Sequence, residues 1–174
     1  HERIVDEDEQ DLPAGEDGEI RIAGPNIMQG YYNLEEETNA AFDSQGYFKT
    51  GDMGQLDEDG FLYITGRIKE MLIIAGENVF PREIEEVLTN HPDVIAAGVV
   101  GRSDTSRGEV AVAYIELQED AVFDEQALRA WCRETIAPFK VPKKITVLEE
   151  LPRNPTGKIM RRELVKMVSK EVVK

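Results

Sequence analysis

A single cysteine, Cys132, stands in a chain of 174 residues. No disulfide can form within the chain, so the fold is not a stapled one, and a reducing compartment suits it. No apolar run is long enough to span a bilayer, and no secretory leader opens the sequence. Basic residues are scarce: 20 Lys and Arg face 35 Asp and Glu, for a formal net charge of −15. Binding to a phosphate polymer needs clustered Lys and Arg, so the balance argues against nucleic acid as a partner. The charge is uneven, with Asp6-Glu7-Asp8-Glu9 acidic and the stretch from Arg153 to Lys174 basic. Internal repeats and low-complexity segments are absent as well.

What is present suffices for a core, since 41% of the residues are hydrophobic. The first third reads as short strands and turns. Gly18-Glu19-Ile20-Arg21-Ile22 alternates as a half-buried strand does, and Gly24-Pro25 punctuates it. Glu35 to Phe42 reads as one short helix. Asp57-Glu58-Asp59-Gly60 joins Met53–Leu56 to Phe61–Ile64 as a hairpin. Large aliphatics are few here, so this third reads as the edge of something larger.

From Glu70 the character changes. Met71 to Ile74 is a compact apolar strand, and Pro81 is placed to open a helix with Ile84, Val87 and Leu88 on one face. Asn90-His91-Pro92 stops that helix, with His91 a plain loop residue. Val94–Val100 and Val110–Leu117 read as strands split by a polar loop, Gly101 to Gly108. Asp124 is set to cap a helix running to Ile136, with Leu128, Trp131, Cys132 and Thr135 inward. Ile145–Leu148 is a last strand, and Met160 to Val172 a terminal helix with Leu164, Val165 and Val168 on one side. The order predicts an α+β fold, a short sheet flanked by helices, preceded by a β-rich segment. The boundary falls at Ile68-Lys69, giving segments 1–68 and 69–174.

Pro152-Arg153-Asn154-Pro155-Thr156-Gly157-Lys158-Ile159 carries a lysine on a stiffened turn. Proline fixes φ and glycine permits φ > 0, so such a turn has few conformers to lose on docking. Taken alone, it reads equally as an ordinary surface turn and as a cation aimed at a ligand.

Two more stretches break the tie: Thr50-Gly51-Asp52, and Gly66-Arg67-Ile68-Lys69-Glu70-Met71-Leu72-Ile73-Ile74-Ala75-Gly76-Glu77-Asn78-Val79-Phe80-Pro81. With Gly18-Glu19-Ile20, Gly30-Tyr31-Tyr32, Tyr47-Phe48-Lys49, Asp59-Gly60, Gly108-Glu109 and Phe139-Lys140-Val141-Pro142, they resemble, in order and spacing, the C-terminal third of the acyl-adenylate-forming superfamily. That family holds acyl-CoA synthetases, peptide-synthetase adenylation domains and firefly-type luciferases. The Gly76 to Pro81 form looks most like fatty-acyl and related acyl-CoA ligases. Family members run to about 500 residues, several domains by size. The resemblance implies that 1–68 is the tail of a large N-terminal domain and 69–174 a mobile lid. It implies that the rest of the large domain, with its phosphate loop, is missing, so that the isolated fragment is inactive.

The implied reaction joins a carboxylic acid, with fatty acid leading, to coenzyme A at the expense of ATP, through acyl-AMP. The alternatives are an adenylating ligase for aryl or amino acids, and a non-catalytic interaction module. Lys158 matches the family's catalytic lysine, bridging carboxylate and α-phosphate; Asp52 matches the ribose-binding aspartate, and Arg67 a ribose or phosphate contact. Each has a plain reading beside it: a surface lysine, a turn cap and a salt bridge. Lys69 matches the hinge about which the lid turns, and Ala75, Gly76 and Glu77 would approach the pantetheine arm, with Gly76 letting the backbone come close. Arg102, Lys140, Lys143 and Lys144 suit coenzyme A phosphates and equally a solvated face. Mg2+ is expected on the nucleotide, with no protein metal ligand here. A cytoplasmic site, peripheral membrane contact by the terminal helix, and self-association through exposed strands complete the expectations.

Overall fold

The computed structural model describes residues 1–171, with side chains through Ser169. The chain divides into two compact units, His1–Lys69 and Glu70–Lys174.

The first unit is an antiparallel sheet of four strands in sequence order: β1 (Glu2–Val5), β2 (Gly18–Ile22), β3 (Phe48–Leu56) and β4 (Leu62–Arg67). One short helix, α1 (Glu35–Ala41), lies between β2 and β3 and buries no residue. The hairpin at Asp57–Gly60 forms as expected, with Asp57 Oδ1 accepting the Asp59 and Phe61 N–H groups. β1 is an addition to the sequence reading. The unit's buried apolar set is small: Ile4, Val5 and Ile20. Beside it lies an ionic cluster. Arg21, 5% exposed, bonds Glu19 at 2.8 Å and lies 3.6 Å from the buried Asp43 carboxylate. Phe61, Leu62, Tyr63 and Ile64 remain exposed along the open edge strand β4.

A single 3-10 turn, Ile68–Glu70, follows. The second unit is built on a long hairpin, β7 (Val94–Asp104) with β8 (Gly108–Leu117). The expected polar loop from Gly101 to Gly108 shrinks to Thr105–Arg107, because Gly101 through Asp104 pair with Ala111 through Gly108. Asp104 holds that tight end by accepting from the Ser106 hydroxyl and from two backbone N–H groups. The other edge of β8 takes β5 (Leu72–Ile74), itself paired to β6 (Glu77–Val79), and the parallel strand β9 (Lys144–Val147).

Period-two alternation splits this sheet into two buried faces. Val99, Ala111, Ala113 and Ile115 point to one, where α2 (Pro81–Thr89) supplies Ile84, Val87 and Leu88 and α3 (Glu125–Thr135) supplies Leu128 and Cys132. Val100, Val112 and Tyr114 point to the other, against Leu151 and α4 (Arg161–Glu171) with Leu164 and Val168. Gly98 lets α4 approach: a Cβ there would lie 2.5 Å from Leu164 Cδ1. Pro81 opens α2, and Asp124 caps α3 through the Gln126 and Ala127 N–H groups. Trp131 packs partly buried, its indole N–H donating to Val87 O at 2.8 Å. Burial pushes the Cys132 thiol up to about 11. Thr135 and Val165 are exposed, contrary to the periodic reading: the buried stripes run through Leu128, Cys132 and Ile136 and through Leu164 and Val168, and each lies one residue off its stripe. Val172 lies outside the described residues.

Candidate active-site residues

Thr50-Gly51-Asp52 is a bulge. Glu19 pairs with Met53 and Arg21 with Lys49, so three residues of β3 stand opposite the single Ile20. Three bonds hold it open. The Thr50 hydroxyl donates to Ile20 O at 2.7 Å, Gly51 N–H donates to Glu19 Oε1 at 3.1 Å, and Asp52 N–H donates to Thr50 Oγ1 at 3.0 Å. Gly51 sits at φ 70, which supplies the left-handed turn of the bulge. On the other side Asp52 pairs in register with Arg67, and Arg67 Nε bonds its carboxylate at 2.8 Å. The salt bridge and the paired candidates are thus one arrangement: two adjacent side chains, half-exposed Arg67 and part-buried Asp52, presenting a carboxylate and a guanidinium together.

Lys69 lies exposed in the 3-10 turn. Ala75 and Gly76 are the two central residues of the β5–β6 hairpin, at φ 55 and 87, the signs a tight two-residue hairpin demands. Among the described residues, chain neighbours aside, no atom lies within 4 Å of a Cβ built on Gly76, so its dihedral, not crowding, makes glycine the fit. Ala75 N–H donates to Arg107 O at 2.8 Å, which ties this hairpin to the tip of β7–β8. Glu77 is exposed at the start of β6.

The Lys158 turn is folded around one side chain. Asn154 Oδ1 accepts from Thr156 N at 3.1 Å, the Thr156 hydroxyl at 2.8 Å and Lys158 N at 2.8 Å. Asn154 N–H donates to Lys158 O at 2.9 Å, and Gly157 N–H to Asn154 O at 2.9 Å. Before the turn, the buried Glu116 of β8 accepts from Leu151 N at 2.6 Å and from Arg153 Nη2 at 2.8 Å. After it, Met160 N–H donates to Pro152 O at 2.7 Å and closes the loop. The Lys158 ammonium is exposed and has no ion-pair partner among the described residues.

Beyond the turn, Arg161 is held by Glu70 and Glu85. Burial works against its charge, but the bonds to Glu85 and then Glu70 outweigh it and raise its pKa above the usual value. Asn154, Glu116 and Arg161 were missed as functional residues. The available signal was a lone acid in the otherwise apolar Val110–Leu117 run, since a buried charge demands a partner. Of the expected coenzyme A contacts, Lys140 is occupied by Glu83 at 2.7 Å. Lys143 lies near Asp104 and helps depress that carboxyl, behind the Ser106 bonds. No group of three or more His, Cys, Asp or Glu side chains is placed to hold a metal ion among the described residues. No helix among them is long and apolar enough to cross a membrane.

Residues 83–158 match the family described as AMP-binding enzyme C-terminal domain. The chain is 48% identical over 155 residues to a 2-succinylbenzoate–CoA ligase of Geobacillus kaustophilus, covering 89% of this chain and 31% of that protein. It is 43% identical over 163 residues to a sulfoacetate–CoA ligase of Cupriavidus necator, covering 94% and 32%. Among solved structures, it superposes on the o-succinylbenzoate CoA synthetase MenE of Bacillus subtilis in complex with its acyl-adenylate intermediate, at TM-score 0.86 and 41% identity, over 94% of this chain and 33% of that one. ATP-bound MatB from Rhodopseudomonas palustris gives 0.90 at 35% identity, over 96% and 33%. The chain therefore spans about a third of the length of the curated relatives it matches. None of these relatives is named as a fatty-acid ligase. The chain belongs with the adenylate-forming enzymes and corresponds to their C-terminal region, with the AMP-binding enzyme C-terminal domain at 83–158.

Proposed function

We propose that this chain supplies the nucleotide-ribose contacts and the mobile cation of an ATP-dependent acid–CoA ligase, with an aryl acid of the 2-succinylbenzoate type as the leading substrate class. The carrying observation is the Lys158 turn: an unpaired ammonium on a loop whose every hinge point is hydrogen-bonded. A carboxylate oxygen attacks the α-phosphorus of ATP, the bond from that phosphorus to the bridging oxygen breaks, and pyrophosphate leaves. An anion approaches a polyanion in this step, and Lys158 offsets the repulsion as charge builds. The Asp52 carboxylate accepts from the 2′ and 3′ ribose hydroxyls, while Arg67, turned on the same pair, donates to ribose oxygen or phosphate.

In the second half, the deprotonated sulfur of coenzyme A attacks the acyl carbon and AMP leaves. Turning about Lys69 withdraws Lys158 and presents the Ala75-Gly76-Glu77 hairpin to the pantetheine arm. Magnesium, when bound, would lie on the nucleotide phosphates and offset their charge. The aryl reading is favoured over fatty acids by the names of the similar proteins.

The test is a panel assay on the full-length gene product with ATP and coenzyme A. Thioester and AMP are expected with 2-succinylbenzoate or a related aryl acid, and weaker turnover with long-chain acids. Turnover of long-chain acids alone would restore the fatty-acyl reading; no acid-dependent AMP release at all would overturn the ligase reading.

A further inference from the structure

Arg161 stands three residues past Lys158, at the first position of α4, and spends four of its five N–H donors on three partners. Its Nε bonds Glu70 Oε2 at 2.7 Å, its Nη2 bonds Glu85 Oε2 at 2.8 Å, and its Nη1 bonds both Glu85 Oε1 and Val99 O, the latter at 2.8 Å. Glu85 Oε1 in turn accepts Val99 N–H at 2.7 Å. The free edge of β7 at Val99 is therefore satisfied by side chains from α2 and α4, which cover opposite faces of the sheet. Unsatisfied strand edges and buried charges are both costly, and this arrangement leaves neither. Glu70 is the first residue of the second unit and follows Lys69 directly. The guanidinium is part-buried at 24% exposure, and Glu85 is more so at 16%.

We propose that Arg161 is a positioning residue: together with Glu85 and Glu70 it bolts the C-terminal root of the Lys158 turn to the β7 edge and to the residue after Lys69. Glu116 and Arg153 hold the other root. The turn is thus fixed at both ends by charge-assisted bonds, and the residue entering the unit belongs to the same rigid body as the lysine. The chemical half of this inference rests on the role proposed for Lys158; the structural half does not. Lysine cannot replace the arginine, because a point charge on a flexible stem lacks the planar fork that serves Glu85 and Glu70 at once.

Amide hydrogen exchange on the 174-residue chain reads the structural half. In Arg161→Lys, the amides of Gly157, Lys158 and Met160 are expected to exchange about tenfold faster or more, while those of Val112 to Tyr114 in β8 keep their protection. Unchanged turn amides would overturn the proposal. If Arg161→Lys loosens β8 as well, Glu70→Gln decides, since it leaves the Glu85 and Val99 bonds in place: faster exchange confined to the turn supports the clasp, and none overturns it. The chemical half is read on the full-length gene product by single-turnover assays. Acyl-AMP formation is expected to fall about 10- to 100-fold in Arg161→Lys, as misplacing a reacting group does, while thioester formation from supplied acyl-AMP stays within about twofold. A general fold defect would lower both halves together and would count against a positioning role. A loosened turn with undiminished acyl-AMP formation would remove Lys158 from the chemistry and leave the clasp standing.

Discussion

The two units solve stability in different ways. The second sandwiches a sheet between helices, so nearly every residue from Val110 to Ile115 is buried and both faces carry apolar contacts. The first has one thin sheet, three buried apolar side chains and a knot of Arg3, Arg21, Asp43 and Glu19, with aromatic and aliphatic residues left outside on β4. Burial of apolar area contributes about 25 cal/mol per Å2, whereas a buried ionic cluster largely offsets its own desolvation. The proposed chemistry divides likewise: the pair proposed for ribose, Asp52 and Arg67, sits on a bulge in the thin sheet, and the proposed cation, Lys158, sits on a turn rooted in the thick core. A bulge is well suited to binding, and a braced turn to delivering a charge without slack.

The contrast in packing is broken most sharply by truncation of apolar residues. Leu88→Ala, at a fully buried site, is expected to lower unfolding stability by about 2–5 kcal/mol, while Leu62→Ala on exposed β4 stays within about 0.5 kcal/mol. Urea denaturation of the two variants checks it, and comparable losses would dissolve the distinction. The contrast in chemistry is sharpened by Asp52→Asn. Weakening a charged acceptor is worth about 1.5–3 kcal/mol, so KM for ATP should rise about tenfold or more in the full-length gene product with the Lys158-dependent step less affected. A change in kcat alone would place Asp52 elsewhere in the cycle.

Smaller effects follow from titration. Burial raises the Cys132 thiol to about 11, above its unfolded value of 9.0. A raised folded pKa gives stability that is fully present below the unfolded value and lost as pH climbs towards 11. Thermal melts of the wild type and Cys132→Ala should therefore diverge less at pH 10 than at pH 7, and a thiol reagent should label the native chain slowly. Smallest is a pair of turn aspartates, one per unit. The Phe61 N–H holds Asp57 below the usual carboxylate range, and the Ser106 hydroxyl does the same for Asp104. Depressed carboxyl pKa values give stability that is present above the unfolded pKa and lost as pH falls through the folded one. Asp57→Ala and Asp104→Ala should each flatten the acid limb of a stability profile slightly, and equal slopes in all three proteins would contradict the two capped turns.

Much of the architecture was legible because the cues were local. Pro81 marked α2, Asp124 capped α3, Asp57-Glu58-Asp59-Gly60 made its hairpin, and Ile145–Leu148 gave β9 nearly to the residue. The polar letters Arg102 to Asp104 hid the continuation of β7, because pairing with Glu109 and Val110 across the hairpin overrode their local preference. Thr135 and Val165 read as inward because both fit an i, i+3, i+4 pattern, whereas the buried stripes keep only the i, i+4 positions Leu128, Cys132 and Ile136, and Leu164 and Val168. The motifs point to Lys158, Asp52 and Arg67 as candidates, but not to what holds them. Glu116 beneath the turn and Arg161 beyond it reach partners far off in sequence, so no local pattern announces them, whereas Asn154 at its centre bonds only Thr156, Gly157 and Lys158.

The central proposal is that Lys158 delivers its charge to the forming bond between acid and nucleotide. The direct measurement is acid-dependent ATP–pyrophosphate exchange by Lys158→Met in the full-length gene product, beside thioester formation from supplied acyl-AMP. Loss of a preorganised donor predicts exchange slowed by about 10²–10³ with the second half-reaction nearly intact. Exchange at the wild-type rate would contradict it.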